Sequence, residues 1–204
     1  MGIGRSLSMF SHADWAKGLP PKVWPPVRWT TGKGMRWTVR QGNVLDERAD
    51  VLVCSANIYL NLSGGVGGEI TLRYGPAMQE ELHRYLSERG LRRLDPGNVV
   101  AVSSCGTHFK SVLHAIAVDA FYDSSEHLVR CTVLKALTLA SELGTRKVAL
   151  TALGTGYGHV SIADFGRCLR PLLSVELPPI EEVVVCVLRG HEAAELQAVL
   201  LQQE

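Results

Sequence analysis

The residues with the clearest chemical promise lie in two glycine-rich segments. The first is Ser55-Ala56-Asn57 followed by Ser63-Gly64-Gly65-Val66-Gly67-Gly68-Glu69; the second is Leu153-Gly154-Thr155-Gly156-Tyr157-Gly158. Tandem glycines let backbone N–H groups crowd around an anion, and a helix that follows adds the positive end of its dipole. Neither segment has the lysine and spacing of a nucleotide-triphosphatase P-loop, and neither is a GxGxxG fingerprint. Either loop alone also reads as a tight turn; together they offer two anion sites able to grip adjacent phosphates. Two side chains near the loops have acid–base potential. Glu69 reads first as favourable charge in the first turn of a helix, and His159 first as a solvent-facing loop histidine.

The elements that must position these loops follow from periodicity. Strands are expected at Met35 to Arg40, Asp50 to Ser55, Asn98 to Ser103, Ser111 to Val118, Lys147 to Ala152 and Glu181 to Leu188. Helical patterns run from the first glycine loop to about Ser87 with a break at Pro76, and over Ser125 to Leu143, Ile162 to Leu173 and Glu192 to Leu201. This alternation predicts an α/β fold: a three-layer α/β/α sandwich around a mixed sheet of about six strands. Each glycine loop leaves a strand, and ligands in such folds bind beyond the carboxyl ends of the strands.

Residues 1–34 form a different kind of segment, expected as an extension to a domain over 35–204. Four of the nine prolines fall here (Pro20, Pro21, Pro25, Pro26), with Trp15, Trp24, Trp29 and five basic residues against one acid. Prolines at that density exclude a regular helix or a central strand. Tryptophans are costly to leave in water, so the extension is expected to wind over the domain and bury its rings. A docking surface or a lid near a ligand site are the alternatives.

At 204 residues and 46% apolar, the chain can bury one core. Its 21 Lys and Arg against 20 Asp and Glu give no global electrostatic reason to expect nucleic acid. No run approaches the ~18 apolar residues of a membrane helix, and no apolar segment of secretory length precedes Asp14 and Lys17. Five cysteines with no CxxC fit a reduced, intracellular, cytoplasmic chain with buried thiols. No metal-ligand cluster is visible among Cys and His, and neither metal nor cofactor is expected.

From about Arg36 to Leu201 the chain resembles the macrodomain family of ADP-ribose-binding modules. The resemblance is carried by Gly42-Asn43-Val44, Cys54-Ser55-Ala56-Asn57, Gly64-Gly65-Val66, Leu113-His114 and Gly154-Thr155-Gly156, in that order. It implies that ADP-ribose, or a protein carrying it, is the partner. Asn57 would then face the terminal ribose. Gly64, Gly65, Val66 and Gly67 would hold the diphosphate, and Gly154, Thr155, Gly156, Tyr157 and Gly158 would close over it. Asn43, Val44 and Arg189 would meet the adenine.

The departures from the family pattern matter as much. Asn43 stands where the family has an aspartate, and Asp46 is the candidate replacement carboxylate. No aromatic follows Phe165, so Arg189, Trp37 or another N-terminal tryptophan is the candidate cover for the base. Gly67 stands where the de-ADP-ribosylating branch has an aspartate. Asn57, Glu69 and His159 are then the candidate catalytic residues. Gln79-Glu80-Glu81 spells a motif of the poly(ADP-ribose) glycohydrolases but lies too far along the helical pattern to serve that chemistry. His114 reads as a core histidine. The resemblance therefore implies a binding module first, a slow or substrate-assisted ADP-ribosyl hydrolase second, and a scaffold for nucleic acid or protein third.

Overall fold

The computed structural model describes residues 27–29 and 35–202. The strands are β1 (Val27–Trp29), β2 (Arg36–Gln41), β3 (Val51–Ser55), β4 (Val99–Ser103), β5 (Ser111–Ala115), β6 (Lys147–Thr151) and β7 (Glu182–Val187). The helices are α1 (Gly65–Tyr74), α2 (Ala77–Ser87), α3 (Glu126–Glu142), α4 (Ile162–Leu169) and α5 (Gly190–Leu201). All seven strands form one sheet in the order β1-β2-β7-β6-β3-β5-β4. The five inner strands run parallel, while β1 and β4 lie antiparallel at the edges.

Where about six strands are expected, the sheet has seven. The addition, β1, pairs Val27 with Val39 and Trp29 with Trp37. Val27–Trp29 contains no proline, and an edge strand needs hydrogen bonds on one side only, so the proline argument against a central strand does not touch it. The expected packing of the remaining extension lies outside the described residues.

Alternation within the strands sorts the core into two layers. Val51, Val53, Leu113, Val148, Leu150, Val183 and Val185 face α3, α4 and α5. Leu52, Cys54, Val112, Ala149, Val184 and Cys186 face α1 and α2 through Ile70, Met78 and Leu82. Helix boundaries follow local chemistry. The Ser125 hydroxyl caps α3 by accepting from the Leu128 N–H at 3.1 Å. Pro76 separates α1 from α2 as the cap of the latter. The helical pattern expected to reach Leu173 ends as α4 at Leu169, and Pro171 sits in the 3-10 turn Arg170–Ser174 that follows.

Trp37 corrects another expectation. It is 1% exposed within the core and makes no cover for a ligand, and its indole N–H has no partner among the described residues. His114 is fully buried beside Cys54, with Nδ1 3.6 Å from the thiol sulfur. Burial pushes the Cys54 thiol up to about 12.

One buried carboxylate joins the sheet to the turn after β2. Glu47 accepts from Arg40 Nη1 at 2.7 Å and Lys147 Nζ at 2.9 Å, and its side chain is 2% exposed. Replacing Glu47 by Ala removes the carboxylate that Arg40 and Lys147 share, while Lys147 keeps Glu182 at 3.5 Å. Both cations reach water, so we expect a cost of about 2 kcal/mol, below that of breaking a fully buried pair. The check is a lower urea midpoint with an unchanged denaturant slope.

Candidate functional site

Because the five inner strands are parallel, their carboxyl ends and the loops that follow all emerge at one end of the sheet. There they enclose a cleft of about 550 Å³, within the size range of small-ligand sites. Its floor is built from strand ends: Ser55 of β3, Thr151 of β6 and Cys186 of β7. The Thr151 hydroxyl has no partner among the described residues. Burial pushes the Cys186 thiol up to about 12, so at neutral pH it is no nucleophile.

Both glycine loops open into this single cleft. The first passes straight into α1, whose first N–H bonded within the helix is that of Gly68, to Gly64 at 3.0 Å. The N–H groups of Gly65, Val66 and Gly67 take no partner among the described residues, as expected of a helix start. Gly65 adopts φ +54°, the left-handed region that side chains avoid. The second loop is tied to the floor by the Gly154 N–H, which donates to Ser55 Oγ at 3.4 Å. Its Tyr157 reaches across to the first loop. A Cβ on Gly64 would lie 2.3 Å from the Tyr157 hydroxyl, so any side chain at 64 would push the Tyr157 ring aside.

The other expected ligand residues, Asn43, Val44, Asn57 and Arg189, also line the cleft, but their polar groups are partly spoken for. Asn57 Oδ1 accepts from the N–H groups of Tyr59 and Asn61 at 3.0 and 3.2 Å, and Nδ2 donates to the Asn61 carbonyl at 2.8 Å. One N–H of that amide remains. Asn43 Oδ1 accepts from the Leu45 N–H at 2.9 Å, capping the 3-10 turn Val44–Asp46. That bond fixes the amide's orientation and leaves Nδ2 as its unpartnered end. Arg189, with its side chain 71% exposed, lies 3.5 Å from Glu192.

The candidate acid–base residues divide. Glu69 lines the cleft but is paired with Arg73 at 2.6 Å. Asp46 binds the same guanidinium at 2.7 Å and does not line the cleft, so it does not take the place expected of a replacement carboxylate. Asp46 foremost, with Glu69, raises the Arg73 pKa further above its already high value. His159 does not line the cleft either. Its Nδ1 lies 2.8 Å from Asp123, and both side chains are exposed.

Sequence reasoning passed over Tyr122, which lines the cleft at φ +64° with its ring centroid 6.1 Å from that of Tyr157. Asp119 shapes that turn by accepting from the Phe121 and Asp123 N–H groups. The available signal was an Asp-rich turn directly after a strand, at the same end of the sheet as the glycine loops. Glu192 was likewise missed as a cleft residue.

Comparison with known proteins decides the family. The family model described as Macro domain matches residues 53–169. The chain belongs to the macro domain family. This macro domain is 30% identical over 163 residues to a macro domain-containing protein of Streptomyces griseus, covering 78% of this chain and 92% of the relative. It is 33% identical over 156 residues to one of Streptomyces nogalater, covering 76% and 86%. Among solved structures it is similar to the Oceanobacillus iheyensis macrodomain with ADP, at TM-score 0.76 and 18% identity, over 86% of this chain and 95% of that one. It is also similar to the Trypanosoma brucei macrodomain in complex with ADP-ribose, at TM-score 0.69 and 19% identity, over 80% and 68%. Among the described residues, no helix of the macro domain is long and apolar enough to cross a membrane. The same residues contain no cluster of three or more His, Cys, Asp or Glu able to hold a metal.

Proposed function

We propose that the cleft binds ADP-ribose, free or attached to a protein. The observation that carries this reading is the convergence of two glycine loops, with the unpartnered N–H groups of Gly65, Val66 and Gly67, on one cleft. Preset donors of that kind suit a diphosphate and cost little to organise on binding. The ADP and ADP-ribose in the Oceanobacillus and Trypanosoma macrodomains support the same ligand class. In this reading Gly64 to Gly67 take the diphosphate from below and Gly154 to Gly158 cover it. Val44, Leu188 and Arg189 flank the base near Asn43, and the terminal ribose sits between Asn57 and Tyr157. Calorimetry with ADP-ribose, ADP, AMP and ribose tests it. Affinity should fall in that order, and equal affinity for AMP and ADP-ribose would remove the diphosphate clamp.

The same geometry argues for binding without efficient turnover. Position 67 has no side chain to hold a water, Glu69 neutralises Arg73, and His159 lies outside the cleft. The expected result is little or no time-dependent release of ADP-ribose from an aspartate- or glutamate-modified protein. Fast, saturable release that disappears in Asn57→Ala or Glu69→Gln would make the protein a hydrolase instead. Gly67→Asp is a poor route to installing activity. A Cβ at 67 would lie 3.1 Å from the Leu62 Cα, so the loop would have to shift before the carboxylate could act.

A further inference from the structure

The stretch from Tyr59 to Leu62 leads from β3 into the first glycine loop, and it has no strand or helix to satisfy its peptide groups. The Leu60 N–H donates to the Asn57 backbone carbonyl at 3.0 Å, and two side-chain amides take most of the others. Asn57 takes the N–H of Tyr59 and both the N–H and C=O of Asn61. From the opposite side, on α2, Gln79 Nε2 donates to the Leu60 carbonyl at 3.0 Å, and Gln79 Oε1 accepts from the Leu62 N–H at 2.7 Å. The two sets do not overlap, so each amide holds peptides that the other leaves free. Gln79 bonds residue i and residue i+2 through its paired donor and acceptor, as a neighbouring strand would.

Two features make that hold consequential. Leu60 is fully buried at φ +56°, a conformation leucine avoids, so the loop must be kept there by its surroundings. Leu62 packs directly on Gly67: the site of a Cβ at 67 lies 3.1 Å from both the Leu62 Cα and its Cδ2. The path from Gln79 to the unpartnered N–H groups of α1 therefore runs through one residue. Gln79 itself does not line the cleft.

We infer that Gln79 is a positioning residue for the anion-binding loop: it sets the height and direction of the Gly65–Gly67 N–H groups without touching ligand. This rests on the reading of the cleft as a diphosphate site, and the test has one arm that does not. Gln79→Met keeps the length and removes both hydrogen bonds. Gln79→Glu keeps the acceptor for Leu62 but sets a carboxylate oxygen against the Leu60 carbonyl. Calorimetry well below each melting temperature should show ADP-ribose binding weakened about 10-fold in both variants. Hydrogen exchange without ligand should show faster exchange at the Gly68 N–H, whose bond to the Gly64 carbonyl closes the first turn of α1, and unchanged exchange in β5 and β6. A purely structural role would lower the melting temperature and leave the low-temperature affinity and the Gly68 exchange as in the parent protein; that result, in either variant that folds, overturns the inference. If the parent protein binds no ADP-ribose, the functional reading fails by itself, and the exchange of the Gly68 N–H still decides the role of Gln79.

Discussion

Gly156→Val is expected to weaken ADP-ribose binding at least ~100-fold while leaving the melting temperature within a few degrees of the parent protein. No atom lies within 4 Å of the position a Cβ at 156 would occupy, and the residue is not in the left-handed region. The substitution therefore meets neither a clash nor backbone strain in the free protein. Gly156 lines the cleft, so the added isopropyl group competes with ligand alone. Two other glycines serve as controls because they fail for different reasons. Gly65→Val also meets open space, but its φ of +54° adds strain of about 1–2 kcal/mol, so it should lose some stability with the binding. At Gly158 a Cβ would lie 2.2 Å from the Gly154 carbonyl oxygen, so any side chain there must break the loop. Calorimetry and thermal unfolding on the three variants separate ligand space from turn geometry. Retained affinity in Gly156→Val would show that the second loop does not cover the ligand.

The second large effect is on stability and is set by His114. Its imidazole is fully buried, and Nε2 has no partner among the described residues, so an imidazolium would place an uncompensated charge in the core. Burial pulls its pKa down from 6.5 to about 4. The folded state thus keeps His114 neutral while the unfolded chain takes up a proton as the pH falls through 6.5. Stability from this group is complete above about pH 6.5, declines as the pH drops, and levels off near 4 where the folded protein also protonates. The linkage amounts to about 3 kcal/mol over that window. Asp50, Glu81 and Glu182 have depressed pKa values and add losses of the same sign, beginning only as the pH approaches their ordinary values of 3.8 to 4.5. Urea unfolding at pH 7.0, 5.5 and 4.5 should therefore show a steady fall in the parent protein. In His114→Leu the fall between 7.0 and 5.5 should largely disappear, whatever that variant's absolute stability. An equal pH slope in both proteins would place the titrating group elsewhere.

Much of the scaffold was legible from local pattern. Continuous apolar runs such as Val51–Ser55 and Glu182–Val187 are what strands covered on both faces must look like. Ser125 and Pro76 mark helix starts by chemistry that depends on nothing distant. The family resemblance was carried by five short motifs in order, from Gly42-Asn43-Val44 to Gly154-Thr155-Gly156, and parallel strands oblige both loops to open at the same end of the sheet. What local pattern did not reveal was β1. Three residues between prolines and glycines carry no period, and their pairing exists only because β2 offers a free edge.

The candidate site divides along the same line. Residue types and spacing alone gave the anion-binding backbone, since glycine's freedom and a helix start are properties of a short segment. Which side-chain atoms remain for a ligand was decided only by the tertiary structure. Asn57 and Asn43 are amides able to bond a ligand in any reading of the sequence, yet one shapes its own loop and the other caps a turn. Asp46 and Glu69 are free carboxylates on paper, and Arg73 engages both. Trp37 belongs to the core, and His159 bonds Asp123 away from the cleft. Gln79 acts on a loop 17 to 19 residues before it. The physical reason is common to all of them: a hydrogen-bonding group has few valences, and only folding brings together the distant partners that use them up.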